Sequence, residues 1–240
     1  MLFAAGLGTR LRPLTDHTPK ALIDVGGVPM LEHVARRLVA AGADRLVINT
    51  FHLAEQVEHF VEERGGFGVE TRISREQGEI LDTGGGLLHA APLFRRAAPF
   101  FVHNADILTD LPLDEMYQAH TRLQPLATLA VMQRSTGRRL LFDGQGLFGR
   151  VDDGKQLRIQ VREPVGPVEE LAFGGVHVVS PEIFGLMTER GVFSILDPYL
   201  RLAGEGNTIR PFRIDGCMWL DIGKPEQLEE ARTLMRRNKE

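Results

Sequence analysis

Short apolar runs at residues 1–5, 46–49 and 69–74 alternate with longer stretches of helical period, and this alternation constrains the fold more than any other feature of the chain. Parallel strands cannot be joined by tight turns; each pair needs a crossover, and the spacing supplies crossovers of helical length. The clearest helix follows Pro29. Leu31, Val34, Ala35 and Leu38 share one face, Arg36 and Arg37 are expected to point away, and Gly42 suits the position just past the end. Residues 100–104 read as a buried central strand breaking off into the polar segment 106–110. After residue 126 the pattern changes. Runs at 127–133, 157–161 and 171–179 lie among turns at Gly144, Gly146 and Gly154, which predicts a more mixed half with hairpins. Helices are expected over 181–188, over 193–203, and from Pro225 to about Arg237. The fold class is α/β: a Rossmann-like mixed, mostly parallel sheet flanked by helices. One domain over 1–240 is enough to bury its own core.

Composition narrows the function classes. A net charge of −4 argues against a nucleic-acid partner, and the basic tail of Arg236, Arg237 and Lys239 reads as a solvated helix end. Cys217 is the only cysteine, which excludes an intramolecular disulfide and a cysteine-based zinc site. No apolar run approaches the ~20 residues that span a bilayer, so neither membrane insertion nor export is expected, and the compartment expected is the cytoplasm. The eight histidines lack paired ligand spacing, and His103 reads as packed or hydrogen-bonded.

The most informative stretch is residues 4–22, AAGLGTRLRPLTDHTPKAL, directly after the first strand. Gly6 and Gly8 permit a tight turn with exposed amides, the arrangement that cradles phosphate oxygens at a strand-to-helix junction. Arg10 can reach a polyphosphate, and Lys20 supplies a compact second charge. A Walker A sequence is missing, and Leu11 spoils the dinucleotide fingerprint, which disfavours kinases and dehydrogenases. Asp106 and Asp221 each close an apolar run ahead of a chain reversal, where parallel α/β sheets place ligands. Asp110, Asp114, Asp152 and Asp153 read as turn or cap residues, and Trp219 as a core anchor.

GLGTRLRPLT followed by PKAL resembles the signature of the sugar-1-phosphate nucleotidylyltransferases. The likeness continues through LDTGGGL at 81–87, HNADI at 103–107, FGGVHVVSPEIF at 173–184 and WLDIGKPEQL at 219–228. Short members of that family are similar to N-acetylmuramate 1-phosphate uridylyltransferase and to the heptose or mannose 1-phosphate enzymes. The resemblance implies the nucleotide-diphospho-sugar transferase fold, with a nucleotide-binding half of about 1–125 and a sugar-phosphate half of about 126–240. It also implies transfer of a nucleotidyl group from a nucleoside triphosphate, UTP first, to a sugar 1-phosphate, releasing pyrophosphate for cell-envelope synthesis.

Residue by residue, the resemblance implies a nucleotide phosphate loop of Ala5, Gly6, Leu7, Gly8, Thr9 and Arg10 with Lys20, of which Arg10 and Lys20 are catalytic. Thr83, Gly84 and Gly85 would lie against the base. Asn104, Gly149, Gly174 and Gly175 would approach the sugar phosphate, and Asp106 and Asp221 would hold Mg²⁺. Three positions depart from the family pattern. Ala105 stands where glycine is usual before the metal aspartate, Arg162-Glu163-Pro164 replaces Glu-Lys-Pro, and Lys224 replaces a frequent Thr. The first strand also starts several residues shorter than in relatives, which suggests a start further upstream.

A sugar 1-phosphate is largely a dianion at neutral pH, since its second ionisation lies near ~6, so the attack needs no general base. It needs cations and oriented amides that offset repulsion between two phosphates. Three other readings share parts of this pattern: a GTP-dependent mannose or heptose enzyme, a glycosyltransferase using nucleotide sugars, and a non-catalytic sugar-nucleotide sensor. The phosphate loop argues against the second, and the presence of Arg10, Lys20 and both aspartates argues against the third.

Overall fold

A computed structural model describes residues 1–237; Lys239 of the basic tail lies outside them. In chain order the strands of the first half are β1 (Leu2–Phe3), β2 (Asp24–Val25), β3 (Val28–Pro29), β4 (Arg45–Thr50), β5 (Glu70–Arg75), β6 (Phe100–Asn104) and β7 (Ile107–Thr109). Those of the second half are β8 (Ala127–Met132), β9 (Arg138–Asp143), β10 (Gly146–Asp152), β11 (Leu157–Gln160), β12 (Glu169–Val179), β13 (Ile209–Arg213) and β14 (Trp219–Asp221). The helices are α1 (Met30–Ala40), α2 (Ala54–Glu63), α3 (Asp82–His89), α4 (Leu113–Leu123), α5 (Ile183–Leu186), α6 (Leu196–Gly204) and α7 (Pro225–Arg237).

The central sheet runs β11-β10-β9-β12-β6-β1-β4-β5, with β8 and then β13 added beside β12. Strands β5, β4, β1 and β6 are parallel, as crossovers through α1 and α2 require. Strand β12 then runs antiparallel to β6, with Val176 opposite His103, and starts the hairpin half. Both faces are covered by apolar clusters, and each cluster draws on both halves: Leu2 and Leu31 meet Val176 and Ile214 on one face, Val47 and Leu87 meet Leu129 and Tyr199 on the other.

Local chemistry explains the elements. In α1 the apolar face is fully buried, and Gly42 beyond its end takes φ +92, a left-handed value suited to glycine. Arg37 does not point away as expected: its Nη2 donates to the Leu111 carbonyl at 2.6 Å, because the four-carbon reach of arginine spans to the segment behind α1. The polar segment 106–110 contains β7. The helix expected over 181–188 shortens to α5, since Thr188 and the residues after it turn toward α6, and α6 itself begins three residues later than expected. No helix among the described residues is long and apolar enough to cross a membrane.

Candidate active site

Two strand ends and one small ribbon assemble the site. Strand β1 releases the glycine loop expected to bind phosphate, in which Gly8 takes φ +63 and accepts a hydrogen bond from the buried Thr15 hydroxyl at 2.8 Å. Any side chain on Gly8 would run into Thr15 at 2.7 Å, so both conformation and space require glycine there. Among the described residues Gly6 and Leu7 make no hydrogen bond, and Gly6 faces open space. That leaves a turn with amides free for anion oxygens.

Strand β6 ends at Asn104, and the backbone then passes through Ala105 to Asp106. The β7–β14 ribbon pairs Ile107 with Asp221, and the Ile222 amide donates to the Asp106 carbonyl at 3.0 Å. Carboxylates far apart in sequence are thereby locked side by side. Lys20 reaches between them from a short 3₁₀ turn: its ammonium bonds Asp106 and lies 4.0 Å from Asp221 Oδ1, with 11% of the side chain exposed. Arg10 arrives from the other side. A Cβ on Gly223 would lie 2.6 Å from an Arg10 guanidinium nitrogen and 2.8 Å from Asp221 Oδ1, so this buried glycine makes the approach of the two possible.

Asp221 Oδ1 is buried and has no hydrogen-bond partner, a costly state for a carboxylate oxygen. Among the described residues no three His, Cys, Asp or Glu side chains form a metal cage. Two carboxylates with one orphaned oxygen still fit an ion that takes its remaining ligands from water and phosphate. Ala105 is not among the residues with positive φ, so its methyl group is tolerated.

Beside Asn104 a cleft of about 450 Å³ runs from Phe3 and Thr83 to the β9–β10 hairpin. Gly175, at φ +74, clears the Asn104 amide, whose nitrogen a Cβ would approach to 2.8 Å. Thr83 lines the cleft, and its hydroxyl accepts from the Ile195 amide at 3.0 Å. Neither Gly175 nor the glycines at 84, 85, 149 and 174 line the cleft themselves. Gly84 and Gly85 pack α3 against Phe193 and the Gly191 carbonyl, Gly149 lets β11 approach within 2.3 Å of where its Cβ would be, and Gly174 is closed in by Ala130, Ile214 and Met132. Their missing side chains serve close packing.

Arg162 is likewise withdrawn from ligand. It makes a fork on Asp143 at 2.6 and 2.7 Å, and the Asp143 side chain is fully buried. The Arg162 guanidinium, with amides of Val165 and Gln145, holds the Asp143 carboxyl far below the usual carboxylate range. Lys224 is exposed. Trp219 is half-buried and packs against the core as expected; it also donates to the Gly174 carbonyl at 2.8 Å and carries the Arg134 guanidinium on its ring at 4.3 Å. Asp152 accepts the Lys155 amide as a turn residue does, whereas Asp110, expected to do the same, accepts the amide of Met218, 108 residues away, and so ties the end of β7 to the segment before β14.

The sequence reading missed a buried polar chain under the loops. The Ala4 amide donates to Asn49 Oδ1 at 2.9 Å, Asn49 Nδ2 donates to Glu76 at 2.6 Å, and Glu76 accepts the Leu81 amide at 2.8 Å. It also missed Asp82, which adopts φ +58 where α3 begins at the cleft. Asn49 and Glu76 stand in no motif, and Asp82, though inside LDTGGGL, carries no sign of its backbone conformation; the roles become visible only once strand ends are adjacent.

Residues 1–238 match the family model described as nucleotidyl transferase. The chain belongs to the nucleotidyl transferase family. It is 34% identical over 236 residues to N-acetylmuramate alpha-1-phosphate uridylyltransferase of Neisseria meningitidis, covering 98% of this chain and 96% of that one. It is 28% identical to the catalytic subunit beta of mannose-1-phosphate guanylyltransferase from Xenopus tropicalis, of which it covers 61%. A putative glucose-1-phosphate thymidylyltransferase from Bacillus anthracis shares its fold at TM-score 0.82 and 20% identity, covering 98% and 94% of the two chains. A UDP-glucose pyrophosphorylase complexed with UDP-glucose does so at 0.78 and 20%, covering 99% and 98%. This family member is therefore an enzyme of the sugar-1-phosphate nucleotidyltransferase group.

Proposed function

We propose that the enzyme transfers a uridylyl group from UTP to N-acetylmuramate 1-phosphate, releases pyrophosphate, and thereby feeds cell-envelope synthesis. The observation that carries the transfer reading is the meeting of Arg10, Lys20, Asp106 and Asp221 at one end of the Asn104 cleft. The 34% identity to the Neisseria uridylyltransferase over nearly both full lengths supports base and sugar.

In this reading the amides of residues 6–9 bind the β- and γ-phosphates, and Arg10 stabilises negative charge gathering on the departing pyrophosphate. Lys20 neutralises the α-phosphate and the incoming sugar phosphate, which is already ionised and surrenders no proton. Asn104 orients the acceptor within reach of that phosphorus. Asp106 and Asp221 would hold Mg²⁺, which when bound supplies Lewis-acid polarisation of the α-phosphate. A matrix of four nucleoside triphosphates against several sugar 1-phosphates, read as pyrophosphate release, tests the assignment. UTP with N-acetylmuramate 1-phosphate should give the highest kcat/KM. Ten-fold higher values with GTP and mannose 1-phosphate would replace it with a guanylyltransferase.

A further inference from the structure

The acceptor cleft carries more positive charge than a neutral sugar needs. Arg138, Arg139, Arg150 and Lys155 line its hairpin side, against the carboxylates of Asp82 and Asp152. Most of these charges are already committed. Arg139 is held by Asp153 at 2.8 Å and Glu170 at 2.9 Å, and Arg138 by Asp152 at 3.3 Å. Asp82 accepts its neighbour's amide, Thr83 N–H, at 2.6 Å and keeps its charge, since no cation pairs with it among the described residues. Two donors remain. Lys155 is exposed and its ammonium pairs with no carboxylate among the described residues; Arg150 is the more telling one.

Arg150 sits on β10 opposite Leu140 and Ile159, and one of its terminal nitrogens, Nη1, donates to Asp197 Oδ1 on α6 at 3.0 Å. That bond fixes the plane of the guanidinium. Its Nε is shut off from solvent and has no hydrogen-bond partner, so it offers nothing to a ligand. The second terminal nitrogen makes no hydrogen bond among the described residues, and its edge of the guanidinium, on a side chain that lines the cleft, is the one left to receive a carboxylate oxygen. Reacting phosphates are not the natural occupant of that edge. Lys20, Arg10, Asp106 and Asp221 provide for them, and none of these lines the cleft, whereas Asn104 does and stands two residues before Asp106. The cleft therefore leads away from the phosphates toward Arg150.

We propose that Arg150, fixed by Asp197 and assisted by Lys155, is the specificity-determining residue that receives a carboxylate carried by the acceptor sugar. The assignment rests on the uridylyl-transfer reading and names the group by which an acidic sugar is chosen over its neutral counterpart. A charge-assisted contact to a guanidinium held in place discriminates strongly, because a neutral sugar leaves that donor unpaired.

The experiment compares N-acetylmuramate 1-phosphate with N-acetylglucosamine 1-phosphate, which lacks only the lactyl ether bearing the carboxylate, in the wild type and in Arg150→Gln. Glucuronate 1-phosphate adds a carboxylate at a different carbon. The wild type should favour the muramate by at least ten-fold. Arg150→Gln should lower kcat/KM for the muramate by roughly 30-fold, through KM, and leave the neutral sugar within about three-fold. Arg150→Lys, which keeps the charge and most of the packing, should show a smaller loss confined to the acidic sugar. Best use of glucuronate 1-phosphate, with the same selective loss, would place the carboxylate at C6 and still support Arg150 as its receiver. Equal losses on acidic and neutral sugars would mean that Arg150 serves the phosphate or the fold, and would overturn the assignment while leaving uridylyl transfer intact. Pyrophosphate from no acceptor at all would overturn both.

Discussion

Arginine and lysine do different work at the parallel strand ends and in the hairpin half of the molecule. In the half built on parallel strands, Arg10 is left without a carboxylate partner among the described residues and Lys20 is aimed between two aspartates, so positive charge converges on one point. In the hairpin half the cations are spent on the fold. Arg162 clamps Asp143, Arg139 spans Asp153 and Glu170, Arg201 holds Glu189, and Arg213 holds Asp215. The backbone explains the difference. Parallel strands end together and release their loops on one edge, where Arg10 and Lys20 converge, whereas along the sheet itself long side chains stand across from one another and ion pairs form, in the hairpin half and equally between Arg45 and Glu70 on β4 and β5. A cation's role is thus set by whether it stands in a loop at the strand ends or along the sheet. Arg150 is the instructive exception, half committed to Asp197 and half free.

The largest expected effect tests the committed side of this contrast. Arg162→Ala removes the fork from a fully buried carboxylate that keeps only backbone donors, and should cost roughly 3 kcal/mol of stability. Chemical denaturation should report that loss, while kcat of the folded enzyme stays within about two-fold. A raised KM for the sugar phosphate with unchanged stability would show instead that Arg162 is an acceptor contact.

The uncommitted side predicts the reverse. Lys20→Ala should lower turnover by ~100-fold, the scale of losing one preorganised electrostatic stabiliser. Because Lys20 also separates Asp106 from Asp221, its loss leaves two carboxylates facing each other, so Tm should fall by a few degrees without divalent cation and recover when Mg²⁺ is added. Turnover near the wild-type value, with a drop in Tm that Mg²⁺ does not recover, would make Lys20 a structural cation and erase the difference between the halves.

How far the sequence reveals this contrast depends on how local each feature is. The parallel alternation, the phosphate loop and the two aspartates are readable because each is carried by contiguous residues of fixed type. The strands β7 and β14 are three residues each, below any usable period, so the device that joins Asp106 to Asp221 emerges only from pairing. Glycines are ambiguous for a related reason. Gly84, Gly85, Gly149 and Gly174 stand in motif-like strings, yet a glycine that lets a ligand approach and one that lets another strand approach look identical in sequence. Arg150 and Asn49 carry no signal at all until the third dimension supplies Asp197 and Glu76.

The smallest effect per residue concerns the seam at which the two regimes meet. His103 on β6 and His177 on β12 flank that seam, and His120 on α4 bridges it by bonding Thr128 at 2.9 Å and Ser180 at 3.0 Å. Burial depresses all three imidazoles, His103 and His120 to about 4 and His177 to about 3. The unfolded chain therefore takes up protons that the folded chain refuses once the pH drops below the ordinary value of 6.5. Stability from this source is complete above that value and declines as the pH falls toward 4, by about 1 kcal/mol per histidine at pH ~5.5. Since the neutral imidazoles sit between the halves, acid should unfold both together. Fluorescence of Trp219, the sole tryptophan, reports the ribbon that joins β7 of the first half to β14 of the second, and far-ultraviolet circular dichroism reports the helices of the whole chain. Coincident acid transitions by the two probes are the expected result, with a midpoint that moves down in pH when His120 is replaced by asparagine, which keeps hydrogen bonding and does not titrate. Separate transitions would mean that the two charge regimes are also separate folding units, and that the histidines lie inside one of them rather than at the join.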